Sequence, residues 1–179
     1  MICVVAVEDS SPPIVVQSAR AMLKAYGEFA RDSGNHPGFR FDRLDQEILE
    51  LSGPYSTRNG EVLLAMRQSE VVGCIAYRTA PAPANPGTCE IKRLFVLPEQ
   101  RGQGIGSRLV RACIDRARAR GYQLACLDTE PETMAAAHHT YLRLGFVEYE
   151  RRHSATEGAV AFLRRSLCEL AESGESSLR

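Results

Sequence analysis

The apolar residues near the start of the chain follow two different spacings. Residues 1–7 are almost all apolar and stop at Glu8, which predicts an opening strand. Residues 15–31 carry an apolar side chain at every third or fourth position, which is typical of one helix face. After a turn-rich stretch over residues 33–38, a second helix is predicted over residues 44–51. The repeating positions of the first helix are Val16, Ala19, Leu23, Tyr26 and Ala30.

The middle of the chain changes to a pattern typical of strands. Residues 61–67 and 70–79 are rich in Val, Leu and Ile, and only Gln68 and Ser69 lie between them, which predicts a β-hairpin. Residues 80–88 hold three prolines and a glycine and are predicted to form a loop. A further strand is predicted over residues 89–97, where Pro98 ends it.

The clearest helix is predicted over residues 104–120. An apolar stripe runs along one face, the arginines occupy the other faces, and Gly121 is placed to cap the carboxyl end. The stripe consists of Ile105, Leu109, Cys113, Ile114 and Ala117. The remaining predicted elements are a strand over 123–127, a helix over 133–144 ended by Gly145, and strands over 146–149 and 159–164.

This order, β-α-α-β-β-β-α-β-α-β-β, predicts an α/β protein with a mixed sheet covered by helices. The length of 179 residues fits a single domain over residues 1–179, with a polar tail over 169–179. Lys plus Arg and Asp plus Glu both number 22, so the chain lacks the global positive field used in non-specific nucleic-acid binding.

Two further features of the composition predict a cytoplasmic protein. No apolar run approaches the roughly 18 residues that a membrane span needs, and the apolar start lacks the basic region of a signal peptide. The six cysteines form no C-x-x-C pair, and most lie in apolar segments. We therefore expect small buried hydrophobic residues in a reducing compartment, with no metal site and no membrane partner.

The turn at residues 101–107 is the strongest candidate binding site. The first N–H groups of a helix have no backbone partner and lie at the positive end of its dipole, so they attract phosphate. Three glycines let the backbone approach closely, and Arg101 can add a charged contact. The turn matches neither the dinucleotide fingerprint nor the P-loop, and a tight strand-to-helix connection is the simpler alternative. Its residues are Arg101, Gly102, Gln103, Gly104, Ile105, Gly106 and Ser107.

The turn and its flanks resemble the GNAT superfamily of acyl-CoA-dependent N-acetyltransferases. Arg101, Gly104 and Gly106 fill the three defining positions of motif A, [QR]-x-x-G-x-[GA]. Residues 90–98 are similar to the family's fourth strand and its proline, and residues 137–146 match motif B, A-x-x-x-Y-x-x-x-G-F. The resemblance covers residues from about 60 to 165. Residues 1–56 correspond to the variable substrate-side segment.

The resemblance implies a mostly antiparallel twisted sheet whose fourth and fifth strands splay apart to admit acetyl-CoA. The backbone of Leu94, Phe95 and Val96 would pair with the pantetheine arm, and an N–H near Phe95 or Val96 would polarise the thioester carbonyl. The N–H groups of residues 101–107 would hold the pyrophosphate. The partners implied are acetyl-CoA as co-substrate and an amine acceptor, without a metal.

Two residues are candidates for moving protons, since an amine acceptor must lose a proton and the leaving thiolate must gain one. Tyr141 matches the motif B tyrosine, which serves as general acid in many family members; its alternative is a packed aromatic side chain. Glu90 stands eleven residues before Arg101, where some members place a base, and burial would raise its pKa. Its alternative is a strand carboxylate paired with Lys92 or Arg93.

Four other residues are weaker candidates for the site or depart from the family pattern. His138 and His139 are near Tyr141, and solvent-facing helix positions are the favoured interpretation over a catalytic base. Tyr55 is predicted either to line the acceptor pocket or to lie in a surface loop. Met134 occupies the position where the family often has an asparagine that helps to hold the cofactor arm.

The function predicted from these residues is acetyl transfer from acetyl-CoA to a primary amine of a small molecule or peptide by direct attack. The alternatives are a non-catalytic acyl-CoA-binding regulatory module, and an interaction domain whose turn binds nothing. An exposed late strand also makes a homodimer a hypothesis. The identity of the amine is not readable from the sequence.

Overall fold

The computed structural model of the protein describes residues 1–33, 41–51, 53–56, 59–82, 84–150 and 160–168. The predicted polar tail and most of the turn-rich stretch over 33–38 lie outside the described residues. The strands are β1 (Ile2–Val7), β2 (Gly60–Arg67), β3 (Glu70–Thr79), β4 (Thr88–Val96), β5 (Leu124–Thr129), β6 (Val147–Glu148) and β7 (Ala161–Ser166). The α-helices are α1 (Pro13–Asp32), α2 (Phe41–Leu49), α3 (Ile105–Ala119) and α4 (Ala135–Arg143).

The predicted order of elements is confirmed, with small shifts at their ends. Helix α1 begins at Pro13. Proline is well tolerated in the first turn, because the N–H that it lacks would have no hydrogen-bond partner within the helix. Helix α2 begins three residues earlier than predicted. Helix α4 begins at Ala135 instead of 133, since the N–H of Met134 is engaged in a preceding turn with the carbonyl of Glu130, at 2.7 Å.

The strands form one mixed sheet in the order β1-β2-β3-β4-β5-β7-β6, which confirms the predicted fold class. All neighbouring strands are antiparallel except β4 and β5, which are parallel. The turn between β2 and β3 places Gln68 at a φ of 56°, which completes the predicted hairpin.

Strands β4 and β5 separate soon after they meet. Their ladder pairs Thr88 with Leu124, Cys89 with Ala125, and Glu90 with Cys126, and records no pair beyond that point in either fully described strand. The carboxyl-terminal part of β4 therefore faces an opening in the middle of the sheet. This is the splay that the family resemblance implies, and we call it the β4–β5 gap.

Helices cover both faces of the sheet, so the protein has two cores. On one face, Leu109, Cys113 and Ile114 of α3 pack with Tyr141 of α4 and with side chains such as Ile75. On the other face, the helices α1 and α2 pack against the sheet. Each fully buried Leu or Ile contributes about 1.5–3 kcal/mol by its removal from water. The principal residues of the second core are Ala19, Leu23, Tyr26, Leu44, Leu64, Ala76 and Phe95.

The cysteines are only in part the buried residues that the sequence suggested. Cys74, Cys89 and Cys113 are buried, Cys126 is partly buried, and Cys3 and Cys168 are exposed. Within the described residues, no helix is long and apolar enough to cross a membrane.

Candidate active site

Strand β4 carries a β-bulge beside the gap. Cys74 on β3 pairs with Phe95, but Ala76 pairs with Lys92, so one residue of β3 faces two residues of β4, Arg93 and Leu94. Arg93 adopts a φ of 60°, a left-handed conformation that costs a non-glycine residue about 1–2 kcal/mol. The bulge turns the side chain of Arg93 toward α1 and α2, while Leu94 packs on the other face with the α3 core.

The bulge also fixes which backbone groups of β4 face the gap. The N–H of Leu97 donates to the carbonyl of Val72 on β3, at 3.0 Å. Because backbone groups alternate in direction along a strand, Phe95 also faces β3, whereas Leu94 and Val96 face the gap. The Val96 carbonyl indeed accepts a bond from Arg101 Nε instead of from β3, at 3.0 Å. Of the three predicted backbone contacts, two are thus turned toward the gap.

The glycine-rich turn leads from the carboxyl end of β4 into α3. Gly102 and Gly104 both have a φ of 74°, and a Cβ added to either would meet no atom within 4 Å. The first bond into the helix runs from the N–H of Arg108 to the carbonyl of Gly104, at 3.1 Å. Among the described residues, no backbone partner is recorded for the N–H groups of residues 102–107. The turn is therefore an open row of donors at a helix N-terminus.

The first residue of this predicted row does not contribute its N–H. The N–H of Arg101 donates to the carbonyl of Pro98 within a single 3-10 turn, at 3.2 Å. The Arg101 guanidinium packs over the ring of Phe29, with its carbon 4.4 Å from the ring centroid. This side chain, which also bonds Val96, lies between the glycine turn and the β4–β5 gap.

The hydroxyl group of Tyr141 belongs to the surroundings of the gap. Tyr141 extends from α4 on one face of the sheet, and Tyr26 from α1 on the other. Burial raises the pKa of Tyr141 well above its ordinary value, and smaller contributions come from Cys113, Tyr26 and Asp128. The contribution from Tyr26 comes from the opposite face of the sheet. The proton of Tyr141 is therefore held more tightly than that of an ordinary tyrosine.

Tyr26 is a residue of the gap that the sequence analysis assigned only to the helix core. Burial raises its pKa to about 12, against the opposing influence of Arg93, and Asp128 adds to the increase. Asp128 is exposed at the end of β5, so its carboxylate faces both tyrosines from the open side. No sequence signal separates Tyr26 from the other apolar positions of its helix.

Glu90 lies where β4 and β5 part, and it is an ion-paired carboxylate. Its oxygens accept bonds from Arg78 Nε at 2.9 Å and from Lys92 Nζ at 3.3 Å. Burial favours the neutral acid, but Lys92 and Arg78 outweigh burial, so the pKa of Glu90 lies below its ordinary value. The expectation of a raised pKa is wrong, and the predicted pairing with Lys92 is confirmed.

Arg93 and Glu47 form a buried ion pair next to Glu90. Arg93 Nε donates to Glu47 Oε2 at 2.9 Å, and the side chains are only 7% and 5% exposed. Tyr55 donates its hydroxyl to the same oxygen at 2.7 Å, and Arg78 Nη1 lies 3.6 Å from the other carboxylate oxygen. Tyr55 is therefore buried, contrary to the surface-loop interpretation, because its hydroxyl has a carboxylate partner inside.

The buried ion pair of Glu47 was not predicted, although the spacing of apolar residues around Glu47 is a signal for it. Leu44, Glu47, Ile48 and Leu51 follow the spacing of one helix face, so the carboxylate stands within an apolar stripe. A charge in that position must find a partner inside the protein. Burial raises the pKa of Glu47, but Arg93, Tyr55 and Lys92 together lower it by more. The pKa of Glu47 therefore lies below its ordinary value, and the carboxylate is ionised.

A cavity of about 240 Å³ opens on the α1 and α2 side of the sheet, over β4, β5 and β7. Ala125 and Leu127 belong to the α3 core, so the alternating residues Cys126 and Asp128 face this cavity. Its polar and aromatic lining comprises Asn85, Thr88, Glu90, Asp128, Tyr149, Glu150, Phe162 and Arg164.

The two histidines near Tyr141 differ from the expectation of two exposed residues. His139 is exposed, but His138 is buried, with Nε2 3.3 Å from Glu148 Oε1. His138 lies on the same helix face as Tyr141, three residues before it in the chain, and this position explains its burial. Met134 caps α4 without a side-chain hydrogen bond. In the described part of the chain, no group of three His, Cys, Asp or Glu residues is placed to hold a metal ion.

Comparison with known protein families gives a consistent result. The model of the acetyltransferase (GNAT) family matches residues 19–146. An uncharacterized N-acetyltransferase of Schizosaccharomyces pombe is 31% identical over 125 residues, which is 69% of this chain and 74% of that protein. Two further curated relatives are matched over only 37% and 40% of their own lengths.

Solved structures share the fold. An acetyltransferase of the GNAT family from Staphylococcus aureus superposes with a TM-score of 0.69 over 94% of this chain and all of that one, at 19% identity. A structure from Salmonella typhimurium that contains its cofactor acetyl-CoA gives a TM-score of 0.64 over 95% of this chain and 96% of that one, at 20% identity.

Proposed function

The chain belongs to the GNAT family of acetyltransferases, and we propose that it transfers an acetyl group from acetyl-CoA to a primary amine of a small molecule or peptide. One observation carries this proposal. The carboxyl-terminal part of β4 borders the β4–β5 gap and leads into the glycine turn of α3, where Arg101 bonds the Val96 carbonyl, and Tyr141 is buried in the core with α3. In this proposal a phosphate site, a slot for an extended arm and a proton donor adjoin one another.

The glycine turn suits the pyrophosphate of acetyl-CoA. The N–H groups of residues 102–107 are open, and the helix dipole favours negative charge there. The pantetheine arm contains amides, and the backbone of Leu94 and Val96 offers partners in the gap. Arg101 is part of the proposed site through its side chain. Its bond to the Val96 carbonyl must yield if a pantetheine amide takes that acceptor.

The thioester carbonyl needs a hydrogen-bond donor, because negative charge collects on its oxygen as the amine attacks. The sequence analysis proposed an N–H near Phe95 or Val96. Phe95 faces β3, so we assign this role to an N–H that faces the gap, either that of Val96 or that of Leu94 beside the bulge. Replacement of a backbone N–H is not possible by mutation of a side chain alone, and an ester analogue of the peptide bond tests this step.

The amine must lose a proton before or during attack, and we keep Glu90 as the candidate acceptor, acting through a water molecule. Its lowered pKa makes it ionised but a weak base at neutral pH. The expected consequence is a rate that rises with pH because the acceptor amine loses its own proton, near pKa 10 for a lysine-like amine. If the pH–rate profile of the wild-type enzyme has a rising limb that is absent from the profile of Glu90→Gln, Glu90 itself titrates during catalysis.

The step itself balances with the residues at the gap. The amine nitrogen forms the new bond to the acetyl carbon, and the carbon–sulfur bond breaks with its electron pair on sulfur. Tyr141 is protonated, since burial raises its pKa, and its hydroxyl can donate toward the developing thiolate. Because its pKa is high, we expect hydrogen-bond stabilisation of sulfur as its main contribution, with the final proton exchanged with solvent.

Two further parts of the proposal concern the setting of the enzyme. A cytoplasmic location is supported by the free cysteines, which suit a reducing compartment. A homodimer through the late strands is supported by β6, which lies at the sheet edge and exposes 57% of Val147. Sedimentation at several concentrations, with Val147→Lys as the comparison, tests the dimer.

The experiment that tests the function measures thiol release from acetyl-CoA in the presence of single amines. Mass spectrometry of the acceptor identifies the acetylated nitrogen. We expect release that depends on the amine and saturates with acetyl-CoA. Saturable binding of acetyl-CoA without turnover on amino acids, polyamines, aminoglycosides or peptides would overturn the proposal.

A further inference from the structure

The cavity beside the gap carries opposite charges at its two ends. Glu90 pairs with Cys126 across the β4–β5 ladder, and Cys126 pairs with Arg164 across β5 and β7. Neighbouring strands are about 4.8 Å apart, so Glu90 and Arg164 are separated by roughly 10 Å at their Cα atoms. Asp128 lies two residues further along β5, opposite Phe162. One row of side chains thus leads from the gap to the outer edge of the sheet.

The end near the gap is suited to a cationic amine. Asp128 lines the cavity, and it is among the groups that raise the pKa values of Tyr26 and Tyr141. Among the described residues, no ion pair is recorded for Asp128, whereas the charge of Glu90 is balanced by Arg78 and Lys92. An ammonium group beside Asp128 would therefore gain a charge partner that the protein does not already supply.

The outer end is suited to an anion. Arg164 is exposed, and its guanidinium lies over the ring of Tyr149, with the carbon 5.2 Å from the centroid. Glu150 also lines the cavity, but no ion pair joins Arg164 to its carboxylate or to any other carboxylate of the described residues. Stacking uses the flat face of a guanidinium and leaves its edge donors available to a carboxylate or phosphate. The guanidinium of Arg164 is therefore a surface cation that has no carboxylate partner among the described residues.

The walls and the volume restrict the body of the ligand. Tyr149 and Phe162 lie side by side, with ring centroids 6.4 Å apart, and both line the cavity. Thr88, which is 4% exposed and also lines the cavity, has a hydroxyl oxygen that bonds no partner among the described residues. A volume of about 240 Å³ is below the range of roughly 300–1,000 Å³ typical of drug-sized ligands. The cavity fits a molecule of amino-acid size.

We propose that this cavity is the acceptor site, and that its substrate class is a small amine that also carries an anionic group, such as an aromatic amino acid. This inference rests on the proposed acetyl transfer. The ammonium group binds beside Asp128 and loses its proton through a water molecule to Glu90, and the free amine then faces the thioester in the gap. The carboxylate, or a phosphonate in its place, lies on Arg164, and the apolar body lies against Tyr149 and Phe162.

The test compares phenylalanine with phenylalanine amide, two amines that differ in the anionic group. We expect the wild-type enzyme to acetylate phenylalanine with the higher kcat/KM when each amine is assayed at a pH equal to its own pKa, so that both are half protonated and the ammonium form that Asp128 binds is present. Arg164→Gln should lower kcat/KM for phenylalanine about tenfold more than for the amide, since one charge-assisted contact is lost. Arg143→Gln, an exposed arginine at the end of α4 on the other face, is the matched control.

Two results would overturn the inference. One is an equal or greater rate with the amide in the wild-type enzyme; the other is an equal loss for both amines in Arg164→Gln. Turnover only with peptides or polyamines would also contradict it. If no amine reacts, acetyl transfer itself fails, and calorimetric titration of phenylalanine into the CoA-bound protein still decides the cavity: binding that weakens in Arg164→Gln supports the site, and no binding rejects it.

Discussion

Arg93 donates its Nε–H to Glu47 Oε2 at 2.9 Å, and this buried pair joins the acceptor-side helix α2 to the bulge of β4. Arg93 is the residue that adopts the left-handed conformation at the bulge. Its guanidinium also lies over the ring of Tyr26, 5.8 Å from the centroid. The pair therefore helps to hold a strained residue at the point where the backbone of Leu94 turns toward the gap.

Replacing one member of this pair should destabilise the protein strongly. Glu47→Gln removes the carboxylate that pairs with the buried Arg93 guanidinium, and we expect the free energy of unfolding to fall by about 3 kcal/mol. Urea denaturation followed by circular dichroism measures it. Asp45→Asn in the same helix is the control, because its pair with Arg31 is 60% and 47% exposed and should contribute less than about 1 kcal/mol. Equal losses in the two variants would contradict the assignment.

The buried glutamates predict a loss of stability in acid. The pKa values of Glu47 and Glu61 lie below the ordinary 4.5, because burial is outweighed by Arg93 for Glu47 and by Arg116 and Arg120 for Glu61. A carboxylate with a lowered pKa in the folded state stabilises the protein above its unfolded-state pKa, and this stabilisation is lost as the pH falls through the folded value. We therefore expect the free energy of unfolding to be nearly constant from pH 7 to 5 and to fall below 4.5.

The same measurement on a variant separates the contribution of one glutamate. Glu61→Gln should be less stable than the wild type at pH 7, and its stability should change less between pH 5 and 3, since one of the linked carboxylates is gone. An unchanged slope in the variant would show that Glu61 is not linked to acid unfolding.

The glycine turn can be tested with two equivalent glycines at opposite ends of α3. Gly104 and Gly121 have φ values of 74° and 85°, and a Cβ added to either meets no atom within 4 Å. Both Glu variants thus carry similar backbone strain, of about 1 kcal/mol. We expect only Gly104→Glu to weaken acetyl-CoA binding, by at least a hundredfold, because its carboxylate lies beside the phosphate donors. Calorimetry that finds the same affinity in both variants would rule out this phosphate site.

Removal of the Tyr141 hydroxyl should affect chemistry and leave binding intact. We expect Tyr141→Phe to lower kcat about a hundredfold, as is typical when a proton donor is lost, while the affinity for acetyl-CoA changes little. Tyr122→Phe is the control. The Tyr122 hydroxyl forms a 2.6 Å hydrogen bond with Thr79, and this bond joins β3 to the residues that follow α3. A rate in Tyr141→Phe close to that of the control would return Tyr141 to the role of a packed aromatic residue.

Local sequence patterns predicted several features of the site because their causes are local. The apolar stripe of α3 and the glycines before it indicated an open helix N-terminus, and Gly102 and Gly104 do adopt left-handed conformations there. The alternation along β4 placed Glu90 and Ile91 on opposite faces, as observed. Tyr141 was identified by its motif, although burial gives it a higher pKa than its residue type implies.

Other features depended on residues far apart in the chain and were not predictable in this way. The lowered pKa of Glu90 follows from Lys92 together with Arg78, which lies twelve positions away on the neighbouring strand. Tyr55 was assigned to a surface loop or a pocket, and it is buried because Glu47 receives its hydroxyl bond. The influence of Tyr26 on the pKa of Tyr141 acts between helices on opposite faces of the sheet.

The sequence by itself determined the order of the elements, the mixed sheet, the open glycine-rich turn and the choice of Tyr141 as a candidate donor. Each of these depends on periodicity or on neighbours within a few positions, for which backbone geometry is enough. The tertiary structure decided the bulge at Arg93, the pairing of Glu47 and the charges of the cavity beside the gap. These depend on strand register and on long-range burial, and burial alone decides whether a charge is solvated or must find a partner.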